Sequence, residues 1–117
     1  MSIDVCALLG NREASDEQGS CGIRKRLLDG GEQRQFAVSQ VVIKEARPHF
    51  HNRTWELYVV QKGEGILKLD GVDMEIKEGD VIEIPPKVVH QAIPDSEMTV
   101  LVIMSPYNAE KCDIEYI

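Results

Sequence analysis

The three histidines of this chain are the residues whose type and spacing most clearly suggest chemistry. His49 and His51 are two positions apart, so on a β-strand both side chains leave the same face, about 6.6 Å apart along the chain. That spacing suits two imidazoles that converge on one ion. Glu56 follows a polar segment, residues 51–54, that is typical of a turn, so Glu56 can begin the returning strand opposite the histidines. His90 lies 34 residues after Glu56, inside an apolar stretch.

These four side chains, if they converge, form a mixed donor set of three neutral imidazoles and one carboxylate. Such a set suits Fe(II), Mn(II), Ni(II), Cu(II) or Zn(II) and contains too much nitrogen for Ca²⁺ or Mg²⁺. On an octahedral ion, four protein ligands leave two positions for water, oxygen or a bidentate substrate. Taken singly, each residue has a simpler interpretation: two nearby histidines are often solvated or hydrogen-bonded, and a lone glutamate usually lies on the surface of a strand.

The elements that would position these side chains are short, β-rich stretches that begin at Phe36. Asp70-Gly71 between two of them is a strong hairpin signal, because glycine accepts the positive φ of a type I′ turn. Their near-regular spacing, without a convincing long helix, predicts an all-β sandwich or barrel. We predict an irregular N-terminal segment over residues 1–34, packing on the barrel or on a partner, and one barrel domain over residues 35–117. The predicted strands are Phe36–Lys44, Trp55–Gln61, Gly65–Leu69, Val72–Ile76, Val81–Ile84, Val88–Ile93 and Thr99–Met104.

Length and charge limit the size of the fold and the classes of partner. A chain of 117 residues and 13.1 kDa is one domain by ordinary length. Thirteen Lys and Arg against 20 Asp and Glu give a net charge of −7, which counts against nucleic acid and anionic membranes. The longest apolar run, Val100–Met104, is far shorter than the roughly 20 residues of a membrane span. The first residues, Met1–Val5, have no basic region and already include an acid, so no signal peptide is predicted. We predict a soluble, cytoplasmic protein with a small-molecule substrate.

The three cysteines are Cys6, Cys21 and Cys112, and no two of them have the close spacing of a zinc or redox motif. An odd number of widely separated cysteines is typical of reduced thiols in a reducing compartment. The alternative is that one of them is a catalytic thiol or tunes a metal.

Two segments of the chain resemble the two motifs of the cupin superfamily. The segment from His49 to Glu56, with Gly63 seven residues further on, resembles the first motif, which runs HxH, four residues, Glu, six residues, Gly. Gly79, five residues, Pro85 and then His90 are similar to the second motif. The resemblance covers about residues 36 to 105.

The resemblance implies a double-stranded β-helix, or jelly-roll barrel, and one divalent transition metal, Fe, Mn, Ni or Zn. It also implies a homodimer, because small cupins commonly dimerise. The positions that depart from the motifs shape turns rather than bind metal, so they affect the expected loop geometry: Ile43, Lys87 and Pro94. The four implied metal ligands are His49, His51, Glu56 and His90.

Three further side chains near the motifs are candidate functional residues. Tyr58 shares a strand face with Glu56, so it is either a core aromatic or a catalytic proton donor that hydrogen-bonds a substrate. Arg47 and Arg53 flank the histidines, and each is either a solvated rim residue or a substrate-binding residue that clamps a carboxylate or phosphate.

The cupin fold alone does not determine function. The sequence favours a metal-dependent enzyme that acts on a small polar metabolite by dioxygenase-type oxidation, because it offers a full ligand set and no well-placed proton-transfer residue apart from Tyr58. One alternative is a sugar or sugar-phosphate isomerase, epimerase or lyase, in which the metal is a Lewis acid. Another is a non-catalytic, metal-containing module that binds a small molecule.

Overall fold

The structure, a computed structural model, describes residues 8–19, 21–29, 35–106 and 113–117. Within these ranges the chain forms eleven β-strands. No helix in this part of the chain is long and apolar enough to cross a membrane. The strands are β1 (Glu17–Gln18), β2 (Gly22–Leu28), β3 (Ala37–Ile43), β4 (His49–His51), β5 (Trp55–Lys62), β6 (Glu64–Leu69), β7 (Val72–Lys77), β8 (Val81–Ile84), β9 (His90–Pro94), β10 (Met98–Ser105) and β11 (Ile114–Tyr116).

The strands form two sheets that enclose one hydrophobic core. The six-stranded sheet has the order β1-β2-β3-β10-β5-β8, and the five-stranded sheet has the order β11-β4-β9-β6-β7. Every strand pair within the sheets is antiparallel. Buried side chains from both sheets form a single cluster, in which Val60 and Val100 from one sheet join Leu67 and Ala92 from the other. The predicted all-β fold is therefore confirmed.

Strand β5 shows how the sequence directs side chains inward. Glu56, Tyr58 and Val60 are buried, whereas Leu57 and Val59 between them are only half-buried. Alternate residues of a strand point to opposite faces, so a carboxylate two positions from a core tyrosine must also enter the barrel. The face that Tyr58 was predicted to share with Glu56 is confirmed.

The Asp70-Gly71 turn connects β6 to β7 as predicted. Asp70 has φ 49° and Gly71 has φ 83°, the two positive values of a type I′ turn, and Leu69 pairs with Val72 across it. On β7 the alternation is only partly used for burial: Ile76 is buried, but Met74 is exposed. The reason is that β7 is the outer strand of its sheet, so little of the barrel covers it.

The N-terminal segment differs from the predicted irregular structure, because its described part contributes β1 and β2 to the six-stranded sheet. Strand β2 pairs with β3, with Ile23 opposite Val42 and Arg24 opposite Val41. The sequence of β2 does not show the alternation of apolar and polar residues that predicts a strand, because arginines occupy its inward-facing positions. The boundary between residues 34 and 35 stays a prediction. Two of the three cysteines, Cys6 and Cys112, lie outside the described residues.

Candidate metal centre

Three strands bring the four predicted metal ligands together between the two sheets. His49 and His51 lie on β4, and β4 pairs with β9 at one point, where His49 is directly opposite His90. Glu56 comes from β5 of the other sheet. The polar segment between His51 and Glu56 lets the chain cross from one sheet to the other, as its turn-like composition predicts.

The four side chains form a tight, buried cluster. None is more than 7% exposed. The Nε2 atom of His51 lies 2.8 Å from Oε1 of Glu56, and the Nε2 atom of His90 lies 3.0 Å from the same oxygen. One ligand atom from each of the four residues lies within 4.8 Å of all the others.

This arrangement fits a metal ion. Ligand atoms 2.0–2.2 Å from a transition metal are at most about 4.4 Å apart, so the cluster needs to contract by only a few tenths of an ångström. Nε2 of His51, Oε1 of Glu56 and Nε2 of His90 are buried, and their short contacts do not have hydrogen-bond geometry. Buried polar atoms without partners cost about 1–3 kcal/mol each, and a cation bound among them removes that cost.

Backbone carbonyls fix the orientation of two of the imidazoles. Nδ1 of His49 lies 2.8 Å from the carbonyl oxygen of Arg47, and Nδ1 of His90 lies 3.0 Å from that of Val88. A carbonyl only accepts hydrogen bonds, so each Nδ1 is the protonated nitrogen. Each ring therefore presents an unprotonated Nε2 to a metal, which is the form that binds.

The ionisation of the cluster also favours a cation. Burial alone would raise the pKa of Glu56, but its contacts with His51 and His90 outweigh that effect and lower the pKa to about 2. Burial lowers the pKa of His49 and favours its neutral form. For His90, burial acts to lower the pKa, but the hydrogen bond and charge of the Glu56 carboxylate outweigh it and raise the pKa. At neutral pH the cluster holds an ionised carboxylate.

A cavity of about 80 Å³ opens beside the cluster. His49, His51 and Glu56 line one side of it, together with Tyr58. Its other walls are mainly aliphatic and come from the six-stranded sheet: Val41, Ile43, Val102 and Met104. The polar residues Arg24 and Ser39 also line the cavity, through which a small ligand could reach a bound ion.

Comparison with known families agrees with this site. A family model described as the cupin domain matches residues 40–105, more than half of the chain. The chain belongs to the cupin family. The jelly-roll fold implied by the two motifs is thereby confirmed. Solved structures with a similar fold include an RmlC-like cupin from Shewanella frigidimarina. Its TM-score is 0.70 at 22% identity, and the alignment covers 86% of this chain and 90% of that chain.

This cupin is similar in sequence to curated proteins, and the share of each protein that it covers differs. An uncharacterised protein of Aquifex aeolicus is 42% identical over 105 residues, 88% of this chain and 82% of its own. A gentisate 1,2-dioxygenase of Haloferax is 36% identical over 63 residues, which are 54% of this chain and 17% of the dioxygenase. An uncharacterised protein of Methanocaldococcus jannaschii is 42% identical over 43 residues, 37% of this chain and 34% of its own. This cupin thus spans about a third or less of the last two relatives.

The nucleoside dehydratase Pac13 of Streptomyces shares the fold. Its TM-score is 0.76 at 18% identity, over 93% of this cupin and 88% of that chain. Identity at this level shows the architecture alone.

One departure from the cupin motifs, at Lys87, has a structural explanation. Lys87 stands where the motif has glycine, and its φ is 73°, so the lysine adopts the left-handed backbone that glycine favours. Its backbone N–H donates to the carbonyl of His51 at 2.7 Å, and its Nζ donates to the Asn52 side chain at 2.6 Å. These bonds hold the turn in the glycine-like conformation next to a metal ligand.

Of the three further candidate residues, the structure places Tyr58 at the cavity and the two arginines away from it. Tyr58 is buried and lines the cavity, and burial together with the charge of Glu56 raises its pKa well above the usual value, so its hydroxyl stays protonated. The guanidinium of Arg47 lies 4.3 Å from the ring centre of Tyr116, and Arg53 is exposed. Neither arginine is among the described residues that line the cavity, and their substrate-binding role stays a prediction.

Asp113 is a residue of the site region that sequence patterns did not indicate. Its carboxylate accepts hydrogen bonds from the backbone N–H groups of Asn52, Arg53 and Thr54, at 3.1, 3.1 and 2.9 Å. It also accepts one from the Thr54 hydroxyl at 2.5 Å. One C-terminal side chain therefore holds the whole loop that separates the ligands on β4 from Glu56.

The Asp113 contacts predict a defined pH dependence of stability. Burial acts to raise the pKa of Asp113, but the hydrogen bonds from Thr54 and the loop N–H groups outweigh it and lower the pKa below its usual 3.8. A lowered folded-state pKa stabilises the fold above the unfolded-state pKa, and this contribution is lost as pH falls from about 4 towards the lower folded-state pKa. We expect metal-free wild type to be more stable than Asp113→Asn at pH 7, with the difference shrinking below about pH 4. Urea unfolding across pH 3–7 measures this, and a difference independent of pH would contradict it.

Proposed function

We propose that this cupin is a metal-dependent enzyme that oxidises a small polar metabolite in a dioxygenase-type reaction. The observation that carries the proposal is the buried cluster of three histidines and one glutamate that opens on one side to a cavity. A divalent iron or manganese ion held there would supply two open coordination positions, enough for one substrate oxygen together with dioxygen or for both oxygens of a chelating substrate. The partial match to a gentisate 1,2-dioxygenase supports the same choice.

The residues of the chain contribute burial, charge and orientation to this chemistry. Glu56 supplies a negative charge that lowers the net charge of a bound ion, and the His49 and His90 rings are held by backbone carbonyls in the metal-binding tautomer. Aliphatic side chains around the cavity exclude water and strengthen electrostatic interactions inside it. Tyr58 keeps its proton at neutral pH and can donate a hydrogen bond to an oxygen of a bound substrate.

Metal content and oxygen uptake together test the proposal. Protein purified without chelator or metal-affinity tag is expected to contain about one equivalent of iron or manganese per chain. The iron-loaded protein is then supplied with catechols, diketones and thiols in an oxygen electrode, and one of these classes is expected to cause uptake of one O₂ per substrate consumed. Flat oxygen traces across all three classes on fully loaded protein would reject the oxidation.

Tyr58 supports a second candidate, an isomerase, epimerase or lyase acting on a sugar or sugar phosphate. Tyr58 is buried and lines the cavity beside the cluster, where such reactions need a proton donor. This chemistry consumes substrate without oxygen, so product formation in an anaerobic sample separates it from oxidation. Binding of a ligand without turnover in either assay would favour the non-catalytic module.

Two further properties remain proposals. A homodimer is supported by exposed apolar residues on the outer face of the six-stranded sheet, Trp55 on β5 and Val81 on the neighbouring β8. A cytoplasmic location rests only on the composition and the cysteine spacing of the sequence.

A further inference from the structure

Strand β2 presents an arginine to the inside of the barrel. Arg24 is directly opposite Val41 on β3, and Val41 shares its strand face with the buried Ile43. Side chains of paired residues lie on the same face of a sheet, so Arg24 faces inward. It lines the same cavity as His49 and Glu56, although it is distant from them in sequence.

Neighbouring residues hold the Arg24 side chain in place. Its Nε donates to Oε1 of Glu17, the residue directly opposite on β1, at 2.9 Å. Gly19 leaves room for its aliphatic part, because a Cβ there would lie 3.0 Å from Cδ of Arg24. Glu17 also accepts a hydrogen bond from Nε of Arg26 at 2.5 Å, so two guanidinium groups share one carboxylate. Arg26 has a second carboxylate near it, because its Nη1 lies 3.7 Å from Asp29.

Arg24 retains hydrogen-bonding capacity for a ligand. A guanidinium has five N–H donors. In the part of the chain that the structure describes, Nε of Arg24 is the only one of its nitrogens with a hydrogen-bond partner. The four N–H groups on the two terminal nitrogens match the oxygens of a carboxylate or phosphate. The side chain is 31% exposed, so it lies at the mouth of the cavity rather than in its floor.

The charge inside the cavity favours an anion. A divalent ion would contribute +2 and Glu56 contributes −1, while the +1 of Arg24 is balanced by the Glu17 carboxylate beside it, so the sum is still +1 although the whole chain has a net charge of −7. A volume of about 80 Å³ holds a few water-sized groups, given that a water occupies about 30 Å³. The ligand, or the part of it that enters, must therefore be small.

We infer that Arg24 binds the anionic group, a carboxylate or a phosphate, of a small ligand whose neighbouring oxygen coordinates the metal. This inference rests on the proposed function, because it requires a metal in the cluster. It makes Arg24, rather than the arginines that flank the histidines in sequence, the residue that selects substrates by charge. The substrate class is then a small hydroxy or keto acid, or its phosphorylated counterpart.

Calorimetric titration of the Mn(II)-loaded protein with matched probes tests the inference. Glycolate and glycolamide have similar shape and chelating oxygens, but only glycolate is an anion, and inorganic phosphate gives the other anionic group. The variant is Arg24→Gln. The control is Lys25→Gln, which removes the same charge from the next position on β2, where the side chain faces outward and forms an exposed ion pair with Asp16.

We expect Arg24→Gln to weaken glycolate binding about 10- to 100-fold, since a charge-assisted hydrogen bond is lost, and to leave glycolamide binding unchanged. Arg24→Lys should recover part of the affinity, because it restores charge without the planar fork. Tighter binding of phosphate than of glycolate, with the same loss in Arg24→Gln, would identify phosphate as the anionic group.

Three outcomes would overturn the inference. Equal glycolate affinity in wild type and Arg24→Gln would show that the arginine does not touch the ligand. Equal losses in Arg24→Gln and Lys25→Gln, or equal losses for glycolate and glycolamide, would show a general effect of charge or of cavity shape. Normal metal content in all variants keeps these results separate from failure of the proposed function, whereas wild type that binds no Mn(II) would reject both.

Discussion

Replacement of His90 with alanine is expected to abolish stoichiometric metal binding. His90 is 1% exposed, its Nε2 lies 3.0 Å from the Glu56 carboxylate, and its Nδ1 is held by the Val88 carbonyl. Loss of residues that merely support a metal ligand already weakens binding about 10- to 100-fold, so loss of a ligand should weaken it by at least about 100-fold. Elemental analysis after dialysis and titration with Mn(II) or Zn(II) measure the effect.

Gln91→Ala is the matched control for His90→Ala. Gln91 lies on the same strand, and its side chain donates to the Ala46 carbonyl instead of entering the cluster. Circular dichroism spectra and melting temperatures of both variants are compared with those of metal-free wild type, which separates metal loss from unfolding. Full metal occupancy in folded His90→Ala would mean that His90 is not a ligand and that the second motif is misassigned.

Replacement of Asp113 with alanine is expected to have the second-largest effect, on stability and on metal affinity together. It removes four hydrogen bonds to one carboxylate and leaves the N–H and hydroxyl of buried Thr54 without their acceptor. We expect a loss of about 2–4 kcal/mol in the free energy of unfolding. Because the loop joins His51 to Glu56, metal affinity should also fall about 10- to 100-fold.

Glu115→Gln distinguishes this loop-holding role from a general loss of negative charge. Glu115 is also a carboxylate near the C-terminus, and it accepts one exposed hydrogen bond from the Asn52 side chain. Urea unfolding and Mn(II) titration of both variants are compared with wild type. If Asp113→Ala bound metal as tightly as Glu115→Gln does, the loop would hold its ligands without Asp113, and the positioning role would be rejected.

Three of the four candidate metal ligands could be predicted from the sequence because their signal is local. His49 and His51 share a face of β4 through the two-residue period of a strand, and a connection of three residues, 52–54, places Glu56 on the opposite sheet. His90 needed the resemblance to the second cupin motif, because nothing in its own neighbourhood shows that β9 pairs with β4 at His49. The inward orientation of Tyr58 could be predicted from that of Glu56, because the two residues are two positions apart on one strand.

Closeness in sequence to the histidines did not identify the arginine that lines the cavity. Arg47 and Arg53 are each two positions from a histidine, yet Arg47 stacks on Tyr116 and Arg53 is exposed in the loop held by Asp113. The arginine that does line the cavity, Arg24, belongs to a segment predicted to be irregular. Its strand was missed because charged residues at inward positions conceal the apolar alternation on which strand prediction depends.

By itself, the sequence determined an all-β cupin domain and the four residues of its candidate metal centre. Both follow from short-range patterns: turn residues, alternation along strands and the fixed spacing of two motifs. The tertiary structure decided which other side chains reach that centre. Arg24 lines the cavity because β2 pairs with β3, and Asp113 holds the loop of Asn52–Thr54 from 59 or more positions away in sequence. Contacts between strands that are distant in sequence depend on the packing of the whole barrel, and no local pattern encodes them.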